Sequence, residues 1–203
     1  MPKPKLTYFD IAASRGEECR LALFLAGVDF EDNRLKRDAW MALKPNTPFG
    51  SLPTLEVEGK RTLSQSNAIL SFIGRSHGLL PKDEWEAARM LSLMSAAEDL
   101  RHAVDKTMGI KDPAELAQRR AALVEGPIRT WGVNMEKQVV GPFASGENLT
   151  VADIKLYIVM NWFKKGVLDH VPSDVLASFP KLEGLFNAVK QYPKIVEWYA
   201  RTQ

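Results

Sequence analysis

Strand-like patterning is confined to the first 80 of the 203 residues, and the rest of the chain has helical periodicity. In the first part, short runs typical of strands alternate with amphipathic runs typical of helices, which predicts the order β-α-β-α-β-β-α. This alternation favours a mixed sheet with helices packed on it. The length allows two small domains with real cores. We therefore expect an α/β domain followed by an all-α domain.

The domain boundary is predicted at Gly78–Asp83, which contains glycine and proline and has little periodicity. The predicted domains are residues 1–79 and 84–203. In the first domain we expect strands at 6–9, 30–35, 54–57 and 61–63, and helices at 17–26, 38–43 and 66–76. From Trp85 onward the pattern predicts long helices, the first two of them at 85–108 and 114–139.

Charge and composition exclude several classes of function. The net charge is +2, with 11 basic against 9 acidic residues up to residue 80 and 16 against 16 beyond it. Neither part is basic enough to predict binding to nucleic acid or to an anionic membrane. The single cysteine, Cys19, rules out an internal disulfide. With no signal peptide and no membrane-spanning apolar run in the pattern, we expect a soluble cytoplasmic protein.

Tyr8 closes the first predicted strand, and Arg15 lies near the start of the helix that follows. A free thiol has a pKa of about 8.5, so only a few per cent is thiolate at neutral pH. A phenol that donates a hydrogen bond to sulfur favours the anion, and a nearby cation adds to the effect. Tyr8 is therefore a candidate thiol activator, with Ser14 as a rival hydroxyl. The alternative is an aromatic ring that only fills the core.

Leu52-Pro53-Thr54 stands at the entrance to the third predicted strand. A bond before proline adopts the cis form at a cost of about 0.5–1 kcal/mol. Cis geometry would turn the N–H and C=O of Leu52 outward, where an extended peptide could pair with them. The alternative is a trans proline that begins an edge strand. Because Tyr8 and Ser66 accompany this motif, we predict the cis form.

Gln65-Ser66-Asn67 opens the next predicted helix. A helix N-terminus has unpaired N–H groups and a partial positive charge, so it binds carboxylates. The hydroxyl and N–H of Ser66 would suit such a group, and a plain N-cap is a compatible second role. With Tyr8 and Leu52, this motif outlines a site for a small peptide that carries a thiol.

Trp40 and Lys44 lie on the short second helix. The lysine could pair with a terminal carboxylate of the peptide, and the indole N–H could donate to the same group. The alternatives are a solvated lysine and a tryptophan that covers the sheet. The histidines at 77, 102 and 170 have no metal-ligand spacing, and we predict no metal.

These motifs resemble those of cytosolic glutathione S-transferases, and the sigma class most of all. The resemblance covers essentially the whole chain. The motifs that carry it are Lys5-Leu6-Thr7-Tyr8-Phe9, Asp38-Ala39-Trp40, Pro48-Phe49-Gly50-Ser51-Leu52-Pro53, Leu63-Ser64-Gln65-Ser66 and Leu149-Thr150-Val151-Ala152-Asp153.

The resemblance implies a thioredoxin-like first domain that binds glutathione as co-substrate, and an all-helical second domain that contributes the pocket for an electrophile. It implies that Tyr8 activates the thiol with Arg15 beside it. It implies a homodimer, in which Phe49 inserts into the partner. The glutathione-binding residues it implies are Trp40, Lys44, Leu52, Pro53, Gln65, Ser66 and, from across the dimer interface, Asp99.

The predicted function is a glutathione transferase that conjugates the thiolate to small hydrophobic electrophiles. The alternatives are a glutathione-dependent isomerase or peroxidase, resembling the prostaglandin synthases, and a non-catalytic binding or structural protein like the lens crystallins. Residues 101–106 contain no aromatic, whereas the prostaglandin-isomerising members have an aromatic wall there. The candidate residues of the electrophile pocket are Ile11, Ser14, Arg101, Lys106 and Lys155.

Overall fold

The structure is a computed structural model that describes residues 3–201. Two compact units make up the chain. The first extends to Ala87 and also includes the C-terminal segment from Tyr192, and the second comprises Ala88–Gln191. The return of the C-terminal segment to the first unit was not anticipated from the sequence.

The first unit is built on a four-stranded mixed sheet, as the alternating pattern predicts. The strand order is β2-β1-β3-β4, with β1 parallel to β2 and antiparallel to β3, and β3 antiparallel to β4. The strands are β1 Lys5–Phe9, β2 Glu31–Leu35, β3 Thr54–Glu56 and β4 Leu63–Ser64. The helices between and after them are α1 Ser14–Leu25, α2 Arg37–Leu43 and α3 Ser66–His77. A 3₁₀ turn, Lys44–Asn46, follows α2 directly.

The strand register brings three distant motifs to one end of the sheet. Thr7 pairs with Thr54, and Thr54 pairs in turn with Ser64. Tyr8, which follows Thr7, therefore lies at the same end as Pro53, which precedes Thr54. The N-terminus of α3 begins two residues after Ser64. The motifs singled out at positions 8, 52–53 and 65–66 thus share one edge of the sheet.

Helix α1 is buried on nearly all sides because the first unit covers it with the sheet, α3 and the C-terminal helix α9, Pro193–Arg201. The indole Nε1 of Trp198 in α9 donates to Glu17 Oε1 at 2.7 Å. The ammonium of Lys194 donates to the carbonyl of Leu25 at 3.1 Å. These contacts fix both ends of α1 to α9.

Helices account for the regular structure beyond β4, and the described residues form no further strand there. They are α4 Glu84–Asp105, α5 Pro113–Leu123, α6 Arg129–Glu136, α7 Val151–Lys164 and α8 Pro180–Lys190. A π-helical turn, Val124–Ile128, joins α5 to α6. It contains Pro127, whose missing N–H interrupts the regular helical hydrogen bonds. The single helix predicted at 114–139 is therefore divided into three consecutive helical segments, which are α5, the π-helical turn and α6.

Helix α7 begins with a capping box formed by Thr150 and Asp153. Asp153 Oδ2 accepts from the Thr150 N–H at 2.8 Å and from its hydroxyl at 2.7 Å. Its other oxygen accepts from the Ala144 N–H at 2.7 Å. Burial raises the pKa of the Asp153 carboxyl, although these hydrogen bonds act in the opposite direction. The Asp153 carboxylate therefore links the loop before α7 to the first turn of that helix.

Candidate functional site

Tyr8 lies at the end of β1 with its side chain nearly buried. Gly16 of α1 packs directly on the ring, since a Cβ at this glycine would lie 2.1 Å from Tyr8 Cδ1 and 2.7 Å from its Cβ. The ring of Phe9 meets that of Tyr8 edge-on, with the centroids 5.4 Å apart. Only a residue without a side chain allows α1 to approach Tyr8 this closely. Gly16 therefore fixes the position of the phenol.

Arg20 anchors the segment that follows Tyr8. Its side chain is fully buried, and its Nη1 and Nη2 atoms donate to the carbonyls of Ile11 and Phe9 at 2.8 and 3.1 Å. Its Nε donates to both carboxylate oxygens of Asp32, at 2.9 and 3.1 Å. The guanidinium carbon also lies 6.0 Å from the centroid of the Tyr8 ring. One buried cation thus joins α1, β2 and the loop after β1.

Ser14 and Arg15 form the first two positions of α1. Ser14 is buried and has a φ of 64°, a backbone conformation that is uncommon for a residue with a side chain. Arg15 is half-buried. Strained backbone at a helix start beside the candidate activator is typical of a functional turn. The helix begins three residues before the predicted start, so both residues belong to α1.

The peptide bond between Leu52 and Pro53 is cis, as predicted. Pro53 is buried and Leu52 is half-buried. The hydroxyl of Ser64 donates to the carbonyl of Pro53 at 3.4 Å. The cis-proline turn and the last residue of β4 are therefore in direct contact.

Gln65 and Ser66 lie where β4 passes into α3. Gln65 has a φ of 73° and an exposed side chain, and it does not cap the helix through that side chain. Ser66 is the first residue of α3 and is buried. Ser14 and Gln65 are two of the three non-glycine residues with positive φ among residues 3–201. Of these two strained positions, Ser14 begins α1 and Gln65 immediately precedes α3, and both lie at this edge of the sheet.

Trp40 belongs to α2, and Lys44 begins the 3₁₀ turn that follows it. The Trp40 ring is half-buried and meets the ring of Phe9 edge-on, with the centroids 5.9 Å apart. Lys44 is exposed and forms no ion pair within the described part of the chain. Its side chain passes over Gly50, where a Cβ would lie 3.6 Å from Lys44 Cε. The Lys44 side chain thus lies beside the loop that leads to the cis bond, and the Trp40 ring packs against the end of β1.

A cavity of about 640 Å³ opens beside these residues, within the first unit. Its apolar wall consists of Phe9, Ile11, Leu35 and Trp40, and its charged residues are Asp10, Lys36 and Arg37. The Asp10 carboxylate is paired with Arg34 at 3.2 Å. An apolar cavity with a few charged groups at its margin suits a small ligand.

The remaining predicted residues belong to the second unit. Asp99 is exposed on α4 and lines a cavity of about 750 Å³ between α4 and α6. Arg101 and Lys155 are fully buried instead of lining an open pocket, and both pair with Glu98 Oε1, at 2.9 and 2.5 Å. The interpretation of these two as surface residues of an electrophile pocket is therefore wrong, because their charges are held within the helical core.

No group of three or more His, Cys, Asp or Glu side chains is placed to hold a metal ion within residues 3–201. No helix in the same part of the chain is long and apolar enough to span a bilayer.

Two family models match the chain. The glutathione S-transferase N-terminal domain matches residues 4–75, and the glutathione S-transferase C-terminal domain matches residues 98–202. The chain belongs to the glutathione S-transferase family.

Relatives in this family match the chain over nearly its whole length. Glutathione S-transferase 1 of Ascaris suum is 35% identical, with 98% of this chain and 97% of the relative covered. The solved glutathione S-transferase of Ascaris lumbricoides has a TM-score of 0.85 at 32% identity, covering 100% and 98%. The prostaglandin synthase D of Nilaparvata lugens has a TM-score of 0.87 at 28% identity, covering 100% and 99%. The thioredoxin-like fold of this glutathione S-transferase is thus confirmed.

Sequence reasoning missed Gly16 and Arg20, the two residues that hold the candidate activator in place. Gly16 lay just outside the helix predicted at 17–26, so a glycine there was unremarkable; it lies in the first turn of α1, where glycine is unfavourable. No local signal marks Arg20, because its acceptors lie on another strand and on the loop after β1. In this glutathione S-transferase, the site therefore depends on contacts that are distant in sequence.

Proposed function

We propose that this enzyme conjugates the thiolate of glutathione to small hydrophobic electrophiles. The observation that carries the proposal is the position of Tyr8, held by Gly16 at the same sheet edge as the cis bond before Pro53 and the N-terminus of α3. The family relationship supports the reaction class, because relatives that match nearly the whole chain include glutathione S-transferase 1 of Ascaris suum and the probable glutathione S-transferase 8 of Caenorhabditis elegans.

The proposed catalytic residues are Tyr8 and Arg15. The Tyr8 hydroxyl donates a hydrogen bond to the glutathione sulfur and so favours its ionised form. Arg15, one residue before Gly16 on the same turn, adds positive charge. Lowering the thiol pKa by about two units corresponds to roughly 2.7 kcal/mol, which one charge-assisted hydrogen bond and a nearby cation supply. The thiolate then attacks the electrophilic carbon, and the leaving group departs.

The proposed binding contacts involve both ends of the glutathione tripeptide and its backbone. The N–H and C=O of Leu52, before Pro53, pair with its backbone as a short added strand. The N–H groups at the start of α3, with Gln65 and Ser66, bind the γ-glutamyl carboxylate. Trp40 and Lys44 bind the glycine carboxylate, which is supported by the absence of any ion pair at Lys44 within the described residues.

We further propose that the enzyme is a cytoplasmic homodimer with no metal requirement. Asp99 of one subunit would reach the γ-glutamyl amine bound to the other, which is consistent with its exposure on α4. Phe49, 70% exposed, would insert into the partner. Light scattering tests this part of the proposal, and a monomer at working concentration would refute it.

A second candidate is a glutathione-dependent isomerase acting on a prostaglandin-like substrate. It is favoured by the similarity to hematopoietic prostaglandin D synthase of Gallus gallus, 29% identical over 98% of this chain and 96% of the relative. A peroxidase on the same scaffold and a non-catalytic binding protein are the remaining alternatives. A panel of an aryl halide, a hydroperoxide and a prostaglandin endoperoxide separates the three reactions.

The decisive experiment compares the wild type with Tyr8→Phe. Glutathione affinity, measured by calorimetry, is expected to stay within about threefold. Turnover of an aryl halide at neutral pH is expected to fall about 10- to 100-fold, because each unit of thiol pKa changes the thiolate fraction about tenfold. Unchanged turnover would reject Tyr8 as the activator.

A further inference from the structure

Arg120 is a buried cation whose hydrogen-bonding capacity is largely unused. It lies on α5 in the second unit, and only 4% of the residue is exposed. Its Nε and Nη1 atoms have no hydrogen-bond partner among residues 3–201. Guanidinium groups carry five N–H donors and are normally satisfied by oxygen acceptors when they are buried.

The one hydrogen bond found for this guanidinium goes to a sulfur atom. Arg120 Nη2 donates to Met108 Sδ at 3.3 Å. A thioether is a weak acceptor, so it compensates little of the cost of burying the charge. Burial accordingly lowers the pKa of Arg120, opposed by the charge of Asp169, which forms no ion pair with it. An oxygen atom at the position of the sulfur would be a much better partner.

Met108 is open to solvent although its sulfur contacts a buried group. The residue is 59% exposed, and Met41, at 68%, is the other exposed methionine among those described. The described methionines at 90, 94, 135 and 160 are 0–3% exposed. A dissolved oxidant therefore reaches the side chains of both Met108 and Met41, but a buried guanidinium is found beside the sulfur of Met108 only.

We propose that Met108 is a site of reversible oxidation by hydroperoxides, and that the sulfoxide formed stabilises the second unit by accepting hydrogen bonds from Arg120. The sulfur lone pair attacks the terminal peroxide oxygen, the O–O bond breaks, and an S–O bond forms. The peroxide proton passes to the departing alkoxide, giving an alcohol, or water from hydrogen peroxide. Sulfur loses two electrons and the peroxide gains two. The two methionine sulfoxide reductases, one for each sulfoxide epimer, restore the thioether with two electrons from a dithiol, which becomes a disulfide as the oxygen leaves as water.

The expected effect of oxidation at Met108 on stability is the opposite of the usual effect of methionine oxidation. A sulfoxide normally destabilises a protein because it introduces a polar group into apolar packing. Here the residue is 59% exposed, and its sulfur is already 3.3 Å from Nη2 of a guanidinium whose other two nitrogens have no partner among residues 3–201. A hydrogen bond to a charged group is among the stronger ones in proteins. The melting temperature is therefore expected to rise on oxidation at Met108.

The test uses the full chain in a Met41→Leu background, which removes the other exposed methionine among residues 3–201; peptide masses separate oxygen at Met108 from oxygen at Met1. Hydrogen peroxide is added, peptide mass spectrometry locates the added oxygen, and Tm is measured before and after. We expect one oxygen at Met108 and a Tm higher by about 3 °C. The two methionine sulfoxide reductases together should return both the mass and the Tm to their starting values. The same treatment of a chain that also carries Met108→Leu should give no rise.

A second comparison needs no oxidant. Met108→Gln places a carbonyl oxygen near the sulfur position, and Met108→Leu preserves the bulk without an acceptor. We expect Met108→Gln to have a Tm about 3 °C above Met108→Leu, and the difference to vanish when Arg120→Leu is added to both. Arg120→Leu should fold, since removing a buried charge is often neutral or stabilising. A Tm that falls on oxidation, or a difference that survives Arg120→Leu, would overturn the proposal.

Discussion

Gly16 and the ring of Tyr8 are in such close contact that no side chain fits between them: an added Cβ would lie 2.1 Å from Cδ1. This contact joins the first turn of α1 to the last part of β1. The ring therefore cannot move toward α1 without displacing the helix. Catalysis by Tyr8 requires its hydroxyl to stay in this position. Even the smallest substitution at residue 16 is therefore expected to lower turnover strongly.

Gly16→Ala is expected to cost about 1–3 kcal/mol in stability, because the new methyl overpacks the site. Since the ring must shift, turnover of an aryl halide should fall at least about tenfold, which a loss of about 1.4 kcal/mol in transition-state stabilisation would produce. The matched control is Gly184→Ala in α8, where an added Cβ meets nothing within 4 Å. The control should gain about 0.5–1 kcal/mol and keep full activity. Equal behaviour of the two variants would contradict the packing argument.

Arg20→Met is expected to destabilise the enzyme by about 3–5 kcal/mol in urea unfolding. The change leaves the Asp32 carboxylate and the carbonyls of Phe9 and Ile11 without their shared donor. The control is Lys3→Met, which removes an exposed ion pair with Asp29 and should cost less than about 1 kcal/mol. A loss below about 1 kcal/mol for Arg20→Met would show that the buried cation does not hold this loop.

Lys44→Met is expected to raise the KM for glutathione about tenfold and to leave kcat nearly unchanged, because an interaction with the glycine carboxylate acts on binding alone. Steady-state kinetics with a saturating aryl halide provides the measurement. Lys60→Met, in the exposed turn between β3 and β4, removes the same charge from the same unit and serves as control. A similar KM for both variants would exclude Lys44 from the glycine end of the site.

Local patterning was sufficient to predict the sheet and much of the edge that carries the site. The run at 6–9 was predicted as a strand, and the glycine-containing turn between β3 and β4 was predicted to form a hairpin, so the order of elements followed. The cis bond at Pro53 was predicted because neighbouring motifs made a binding edge plausible. The start of α1 was placed too late, since Ser14 begins the helix with a positive φ that no propensity indicates.

The features that the sequence pattern did not predict, the position of α9 and the burial of two charged residues, depend on tertiary contacts. Helix α9 joins the first unit through Trp198 and Lys194, whose partners in α1 lie more than 160 residues earlier in the chain. Arg101 and Lys155 were expected in the electrophile pocket. Their shared partner Glu98 allows both to be fully buried, and such pairing is not visible in the helical pattern.

The central claim is that the Tyr8 hydroxyl keeps the bound sulfur ionised, and the most direct test is the pKa of the thiol in the enzyme–glutathione complex. The thiolate is followed by its ultraviolet absorbance as the pH of the complex is raised, for the wild type and for Tyr8→Phe. The account predicts a pKa about two units below the free value of about 8.5 in the wild type, and a return toward 8.5 in the variant. A thiol that titrates near 8.5 in both proteins would contradict it.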